Sequence, residues 1–368
     1  MVRAPQLELH GELHGGNALA AARRLGCRPG QLVDASASLV PFGLPWPAAL
    51  ALLQAGCGGP RRSYPDRDYG GFRQAAARLH GLDPAWVLPG NGASELFTWA
   101  ARDGAAAGAN VLLQPGFADY GRALACWGAA VVSHSMPLEW SSAFPQPYPD
   151  LPPGQVLWIT NPHSPTGQLW SAASLEPLLA RYRLVICDEA FLPLAPGGEA
   201  QSLVPLLGRY PNLVVIRSLT KLYGIAGLRL GYALANPERL QRWATWRDPW
   251  PVNGLAAALG EQLLADPGAY RRWCERVRHW VSQEGRWWQA ALAPLPGITP
   301  LPSAANFLLI RGASSLVPLR EQLERRHRIL LRDCRSFAGL GDRWLRIGYQ
   351  SRPRNRQILR ALRQALSC

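Results

Sequence analysis

The chain has 368 residues, 48% apolar and 17% charged, which suits a globular protein with one large core and a smaller one. No run approaches the roughly eighteen apolar residues of a membrane helix, and Met1-Val2-Arg3-Ala4-Pro5 lacks a leader's apolar region, so a cytoplasmic location is expected. The net charge of +14 admits anionic ligands, but arginines such as Arg271, Arg272, Arg325 and Arg326 read as solvated helix faces, without any nucleic-acid-binding pattern.

His14-Gly15-Gly16-Asn17 comes first, ahead of a helical stretch over 18–25. These four residues read either as an ordinary loop or as an arm offering a histidine and free N–H groups to an anion. Residues 33–38 alternate as a strand would and run into a Pro-Gly turn at 41–45. Tyr64 precedes Pro65, which holds it extended and presents its side chain outward. A helix is expected over about 73–80. Gly90-Asn91-Gly92-Ala93-Ser94-Glu95 then opens an apolar helix over about 96–107. Such a turn aims N–H groups and the positive helix end at an anion, although Ser94 is equally good as a plain cap.

A strand over 110–114 leads to Phe117, which suits stacking on a flat ligand or core packing alike. A strand over 155–160 closes in Asn161-Pro162-His163-Ser164-Pro165-Thr166-Gly167, whose prolines fix the angle at which Asn161 leaves it. His163 reads as incidental. The run 184–187 ends in Asp188-Glu189-Ala190-Phe191, placing carboxylates at a strand's carboxyl end, where open α/β sheets contact ligands. The buried run 213–217 ends in Ser218-Leu219-Thr220-Lys221, followed by Gly224, Gly227 and Arg229. Hydroxyls, glycines and an arginine can hold a phosphate, and an amine in a dry pocket becomes a nucleophile.

Beyond residue 245, helices are expected near 253–265, 269–293, 316–328 and from 353. Strands over 305–310, 329–334 and 344–348 carry Arg332 and Arg346 between apolar neighbours, a costly burial without an anion. Strands alternating with helices imply a parallel or mixed sheet with helices on both faces. The seven cysteines form no C-x-x-C pair, so neither a metal site nor a disulfide framework is indicated.

Asn-Pro-x-x-Pro-Thr-Gly at 161–167, Asp-x-Ala-Phe at 188–191 and Ser-x-Thr-Lys with Gly-x-x-Gly-x-Arg at 218–229 resemble, in order, the motifs of fold-type I pyridoxal-phosphate enzymes. The resemblance implies an α/β fold with a mostly parallel central sheet flanked by helices, plus a smaller α+β C-terminal domain. The implied divisions are an arm over 1–30, a large domain over 31–245 and a small one over 246–368.

The implied cofactor is pyridoxal 5'-phosphate, with Lys221 as its Schiff-base lysine and Asp188 at the pyridine nitrogen. Asn161 would bond the ring oxygen and Phe117 would stack on the ring. Gly92, Ala93, Ser94, Ser218, Thr220 and Arg229 would surround the phosphate, with Tyr64 reaching across a homodimer to the partner's cofactor. Over nearly its whole length the chain resembles the threonine-phosphate decarboxylases of cobalamin biosynthesis. The implied reaction converts L-threonine O-3-phosphate to (R)-1-amino-2-propanol O-2-phosphate and carbon dioxide.

By that likeness Arg346 takes the substrate carboxylate, and Arg332, with His14, Gly15 and Gly16, takes its phosphate; the division between the arginines stays open, and Asn161 also borders the substrate. Histidinol-phosphate aminotransferases share most motifs and are the alternative. Phe191 departs from the tyrosine of general aminotransferases and removes a hydroxyl from the ring oxygen. A regulatory protein of the same fold would need a DNA-binding domain, for which the roughly 60 residues before Tyr64 leave little room. Neither a nucleic-acid nor a membrane partner is expected.

Overall fold

Short runs of leucine, isoleucine and valine, buried on both faces, set the framework. The computed structural model describes residues 14–152 and 154–367. The start of the expected arm, including the Met1–Pro5 segment, lies outside the described residues, as does Cys368. The strands are β1 (Val33–Ala35), β2 (Val87–Asn91), β3 (Asn110–Gln114), β4 (Val131–Ser135), β5 (Val156–Thr160), β6 (Leu184–Asp188), β7 (Leu213–Ser218) and β8 (Leu230–Ala235). They continue as β9 (Ile298–Pro300), β10 (Phe307–Gly312), β11 (Ile329–Asp333) and β12 (Trp344–Gly348).

The larger sheet runs β2-β8-β7-β6-β5-β3-β4. β8 is antiparallel to both neighbours and the remaining pairs are parallel. Every residue of β5, β6 and β7 is buried, as parallel strands covered on both faces require. Their carboxyl ends therefore open on one edge, where Thr160, Asp188 and Ser218 emerge.

The smaller sheet runs β1-β11-β12-β10-β9. β1 joins it in parallel with β11, so Val33–Ala35 travels with the C-terminal strands although it lies inside the stretch expected to form the large domain. Helix Pro267–Leu292 turns Trp273, Val277, Trp280 and Trp288 into a hydrophobic core continuous with residues of both sheets. No helix among the described residues is long and apolar enough to cross a membrane.

Several elements were hidden in the sequence. Helix Trp46–Cys57 follows the Pro-Gly turn directly, with Pro47 in its first turn, where proline is tolerated. The lysine segment does contain one helical turn, Leu219–Tyr223, stopped by Gly224 in the left-handed region at φ 66°. The helix after Gly92 starts earlier than expected, at Ala93.

Candidate active site

A cleft of about 650 Å³ opens above the carboxyl edge of the large sheet. Its lining brings together Ala93, Ser94, Phe117, Asp188, Ser218, Thr220, Lys221, Arg229 and Arg346 from the expected set. Phe97, Ser164, Ala190 and Phe191 complete the wall. Lys221 leaves the helical turn after β7, with its Nζ 5.7 Å from the Phe191 ring centre. Burial lowers its pKa to about 8, helped by Arg346 and Arg229 and opposed by Asp188. An amine so placed is unprotonated in a useful fraction near neutral pH.

Asp188 ends β6 and is itself buried. Burial pushes its pKa up to about 6, while hydrogen bonds from Tyr120 and the Ala190 backbone work the other way. The Tyr120 hydroxyl donates to Asp188 Oδ2 at 2.7 Å and lies 2.8 Å from Thr160 Oγ1. The Ala190 N–H donates to Asp188 Oδ1 at 2.9 Å. Tyr120 is a functional residue that sequence reasoning missed. It sits three residues after Phe117 in helix Ala118–Ala125, a spacing that puts both rings over one spot, and their centres are 5.5 Å apart.

The opposite wall is built for an anion. Gly92 adopts φ 74°, and a β-carbon there would come within 2.5 Å of Arg229 Nη2. Arg229 itself turns through the left-handed region, at φ 56°, to bring its guanidinium to the start of helix Ala93–Ala107. A non-glycine residue held there is strained, and such strain clusters at functional sites. Ser94, Ser218 and Thr220 line the same wall. The donor set of hydroxyls, guanidinium and helix N-terminus fits a phosphate group, and the buried carboxylate of Asp188 fits a protonated ring nitrogen. These residues accommodate pyridoxal 5'-phosphate.

The small sheet supplies the cleft with Arg346, while Arg332 lines a separate pocket together with Gly15 and Ser36. Arg332 and Arg346 stand directly opposite each other on β11 and β12, both buried. Arg346 packs over the Phe307 ring at 4.6 Å and its Nη1 donates to Ser164 Oγ at 3.3 Å. Its Nε is buried without a hydrogen-bond partner, and burial lowers its pKa to about 10. Arg332 Nη2 donates to Ser336 Oγ at 2.6 Å. The N-terminal arm reaches the same region. The His14 ring lies 5.8 Å from Phe117, and burial lowers its pKa. The Gly16 N–H donates to Ser36 Oγ at 2.9 Å, while a β-carbon at Gly15 would strike the Ser36 carbonyl.

Asn161 and Tyr64 also stand apart from the cleft lining. The Asn161 carboxamide is engaged with Trp170, donating to its carbonyl at 3.1 Å and accepting from its N–H at 2.9 Å. Tyr64 is 79% exposed and stacks on Trp250 with ring centres 4.3 Å apart, outside its own chain's cleft. His163 is a neutral structural group, buried with Nδ1 2.8 Å from Thr166 Oγ1 and its pKa lowered by burial to about 3.

The family model for aminotransferases of class I and II matches residues 36–363. The threonine-phosphate decarboxylase of Salmonella typhimurium is 36% identical, over 98% of each chain. The histidinol-phosphate aminotransferase of Symbiobacterium thermophilum is 34% identical over 88% of this chain and 87% of its own. Among solved structures, the L-threonine-O-3-phosphate decarboxylase of Porphyromonas gingivalis superposes with a TM-score of 0.79 at 25% identity, covering 92% of this chain and all of that one. The seven-stranded sheet, the lysine after β7 and the aspartate ending β6 are thus the fold-type I arrangement, and the chain belongs to the aminotransferase class I and II family.

Proposed function

We propose that the protein is a pyridoxal-phosphate-dependent decarboxylase converting L-threonine O-3-phosphate to (R)-1-amino-2-propanol O-2-phosphate and carbon dioxide, in cobalamin biosynthesis. The observation that carries this reading is the 36% identity to a threonine-phosphate decarboxylase along 98% of both chains. The paired arginines support it, because this substrate brings two anionic groups, a carboxylate and a phosphate, to one cleft. When bound, the cofactor supplies the electron sink for charge left at the α-carbon.

The chain's own residues bind, orient and move protons. Ser94, Ser218, Thr220, Arg229 and the backbone of Gly92 and Ala93 hold the cofactor phosphate. Phe117 covers the ring face and Asp188 keeps a proton at the ring nitrogen. Lys221 would hold the cofactor through its amine and, as an ammonium group beside the substrate, would return a proton to the α-carbon. Arg346 takes the substrate carboxylate. Arg332, His14 and the Gly15–Gly16 backbone take its phosphate. Asn161, with one side-chain N–H left beyond its Trp170 contacts, serves the ring oxygen.

A homodimer belongs to the same proposal. Tyr64 points away from its own cleft, and Trp46 and Leu53 leave an apolar helix face 76% and 64% exposed. The division into a large domain to about residue 245 and a small one beyond also belongs to it, with the N-terminal segment through Ala35 grouped with the small domain. The discriminating test is substrate choice. The cofactor-loaded protein is expected to consume L-threonine O-3-phosphate and yield the aminopropanol phosphate. Amino transfer from L-histidinol phosphate to 2-oxoglutarate, with threonine phosphate untouched, would reassign it to the aminotransferases.

A further inference from the structure

Directly behind the cleft lies an ion cluster that none of the roles above uses. Glu189 follows Asp188, and Arg217 precedes Ser218 on the adjacent strand. Glu189 Oε2 is 2.6 Å from Arg217 Nη2, with the two side chains 0% and 2% exposed. Arg217 Nη1 also meets Glu199 Oε1 at 2.8 Å. Ser202 donates to Glu189 Oε2 at 3.0 Å, and the Leu203 N–H donates to Glu189 Oε1 at 2.8 Å. The two glutamates are not equivalent. The Glu199 side chain is 33% exposed and accepts two hydrogen bonds from Arg217, at 2.8 and 3.2 Å. Glu189 is sealed, and among the described residues Arg217 is its only cationic partner within ion-pair distance.

A sealed carboxylate adjoining Asp188 is a hazard for the site. Two neighbouring carboxylates in low dielectric resist ionising together. The charged or titratable groups near Asp188 include Tyr120, Glu189, Lys221 and Cys187, whose buried thiol lies 4.0 Å from Glu189 Oε1; of the charged ones, Glu189 opposes the charge on Asp188. Around Arg217 stand Glu189, Glu199 and Tyr232, whose hydroxyl is 2.9 Å from His80 Nε2; burial keeps His80 neutral, with a pKa near 3.

We propose that Arg217 is a positioning residue for Asp188. It neutralises Glu189 from behind the site, so that Asp188 keeps its charge. It also ties the segment after β6 to β7, so that Asp188 and Lys221 keep their spacing. The inference rests on the pyridoxal-phosphate reading, because an ionised Asp188 matters chiefly for holding a protonated ring nitrogen.

The test measures the dissociation constant of pyridoxal 5'-phosphate for the full-length apoprotein between pH 5 and 9. Four proteins are compared: wild type, Arg217→Met, Glu189→Gln and the double variant. The cofactor's own titrations are common to all four and cancel. Wild-type affinity is expected to weaken as pH falls through about 6, where Asp188 takes up its proton. Arg217→Met should move that limb upward by about one pH unit, because Glu189 is left uncompensated. Glu189→Gln should move it downward, and the double variant should return toward wild type.

A merely structural Arg217 would weaken affinity equally at every pH, or lower the melting temperature alone; four superimposable pH limbs overturn the proposal. If Arg217→Met does not fold, Glu189→Gln decides, and an unmoved limb there also overturns it. A wild type that binds no cofactor at any pH removes both this inference and the proposed function. A wild type with a normal acid limb beside unmoved variants removes the inference alone.

Discussion

At the Lys221 end of the cleft, opposite charges meet: Asp188 offsets the pull of Arg346 and Arg229 on Lys221, and Arg217 pairs with Glu189 and Glu199 behind them. At the Arg346 end, the guanidinium lies against the Phe307 ring and Ser164, faces Arg332 across the strand pair, and has no carboxylate within ion-pair distance among the described residues. The first end is preorganised, its dipoles aimed before anything binds. The second holds Arg346, a buried guanidinium whose Nε has no hydrogen-bond partner and which an incoming anion would complete. A cleft so divided keeps its cofactor groups in place through each cycle and spends the binding energy of the substrate's anionic groups on orientation.

The largest test of this contrast is at the preorganised end. Lys221→Ala should abolish turnover and the spectral shift that separates lysine-bound from free pyridoxal 5'-phosphate, both read in one spectrophotometric assay. In the wild type, the rate of cofactor capture should rise with pH up to about 8 and then level off. The sign follows from burial: the lowered pKa frees the amine above about 8, whereas an ordinary lysine would keep gaining reactivity to about 10.5.

The substrate end should respond in the opposite sense for stability. Arg346→Met removes a desolvated guanidinium and is expected to raise the melting temperature of the apoprotein, by the equivalent of about 1 kcal/mol or more. The same change should lower kcat/KM for threonine phosphate by about 30-fold or more, since the substrate anion loses its partner. A variant both less stable and fully active would erase the distinction between the two ends.

Tyr120→Phe takes one donor from Asp188. Because that hydrogen bond favours the carboxylate, its loss should raise the acid limit of kcat by about one pH unit, leaving activity above pH 8 nearly intact. Ser164→Ala is the smallest change. It removes one 3.3 Å contact to Arg346 and should raise KM about fivefold, near 1 kcal/mol, with kcat unchanged.

Much of the cofactor end was legible in the sequence because its residues sit in short, contiguous motifs at strand ends. A strand followed by Ser-x-Thr-Lys leaves few ways to place Lys221, and an aspartate closing a buried apolar run must emerge at the sheet's edge. Groups joined only by folding were not legible. Tyr120 meets Asp188 across 68 residues, and Arg346 meets Ser164 across 182. Glu189 and Arg217 looked like motif neighbours and proved to be buried partners, because neither stretch announces which face its charges will take. Helix Trp46–Cys57 was obscured by the prolines that begin it, and β1 by its brevity; its pairing with β11 depends on a contact nearly 300 residues away.

The most direct single measurement follows carboxyl-labelled L-threonine O-3-phosphate through many turnovers with no keto acid present. The proposed decarboxylase releases labelled carbon dioxide and aminopropanol phosphate in equal amounts until substrate is exhausted. A reaction that stops after one equivalent, retains the label in the organic product and resumes only on adding 2-oxoglutarate would contradict it.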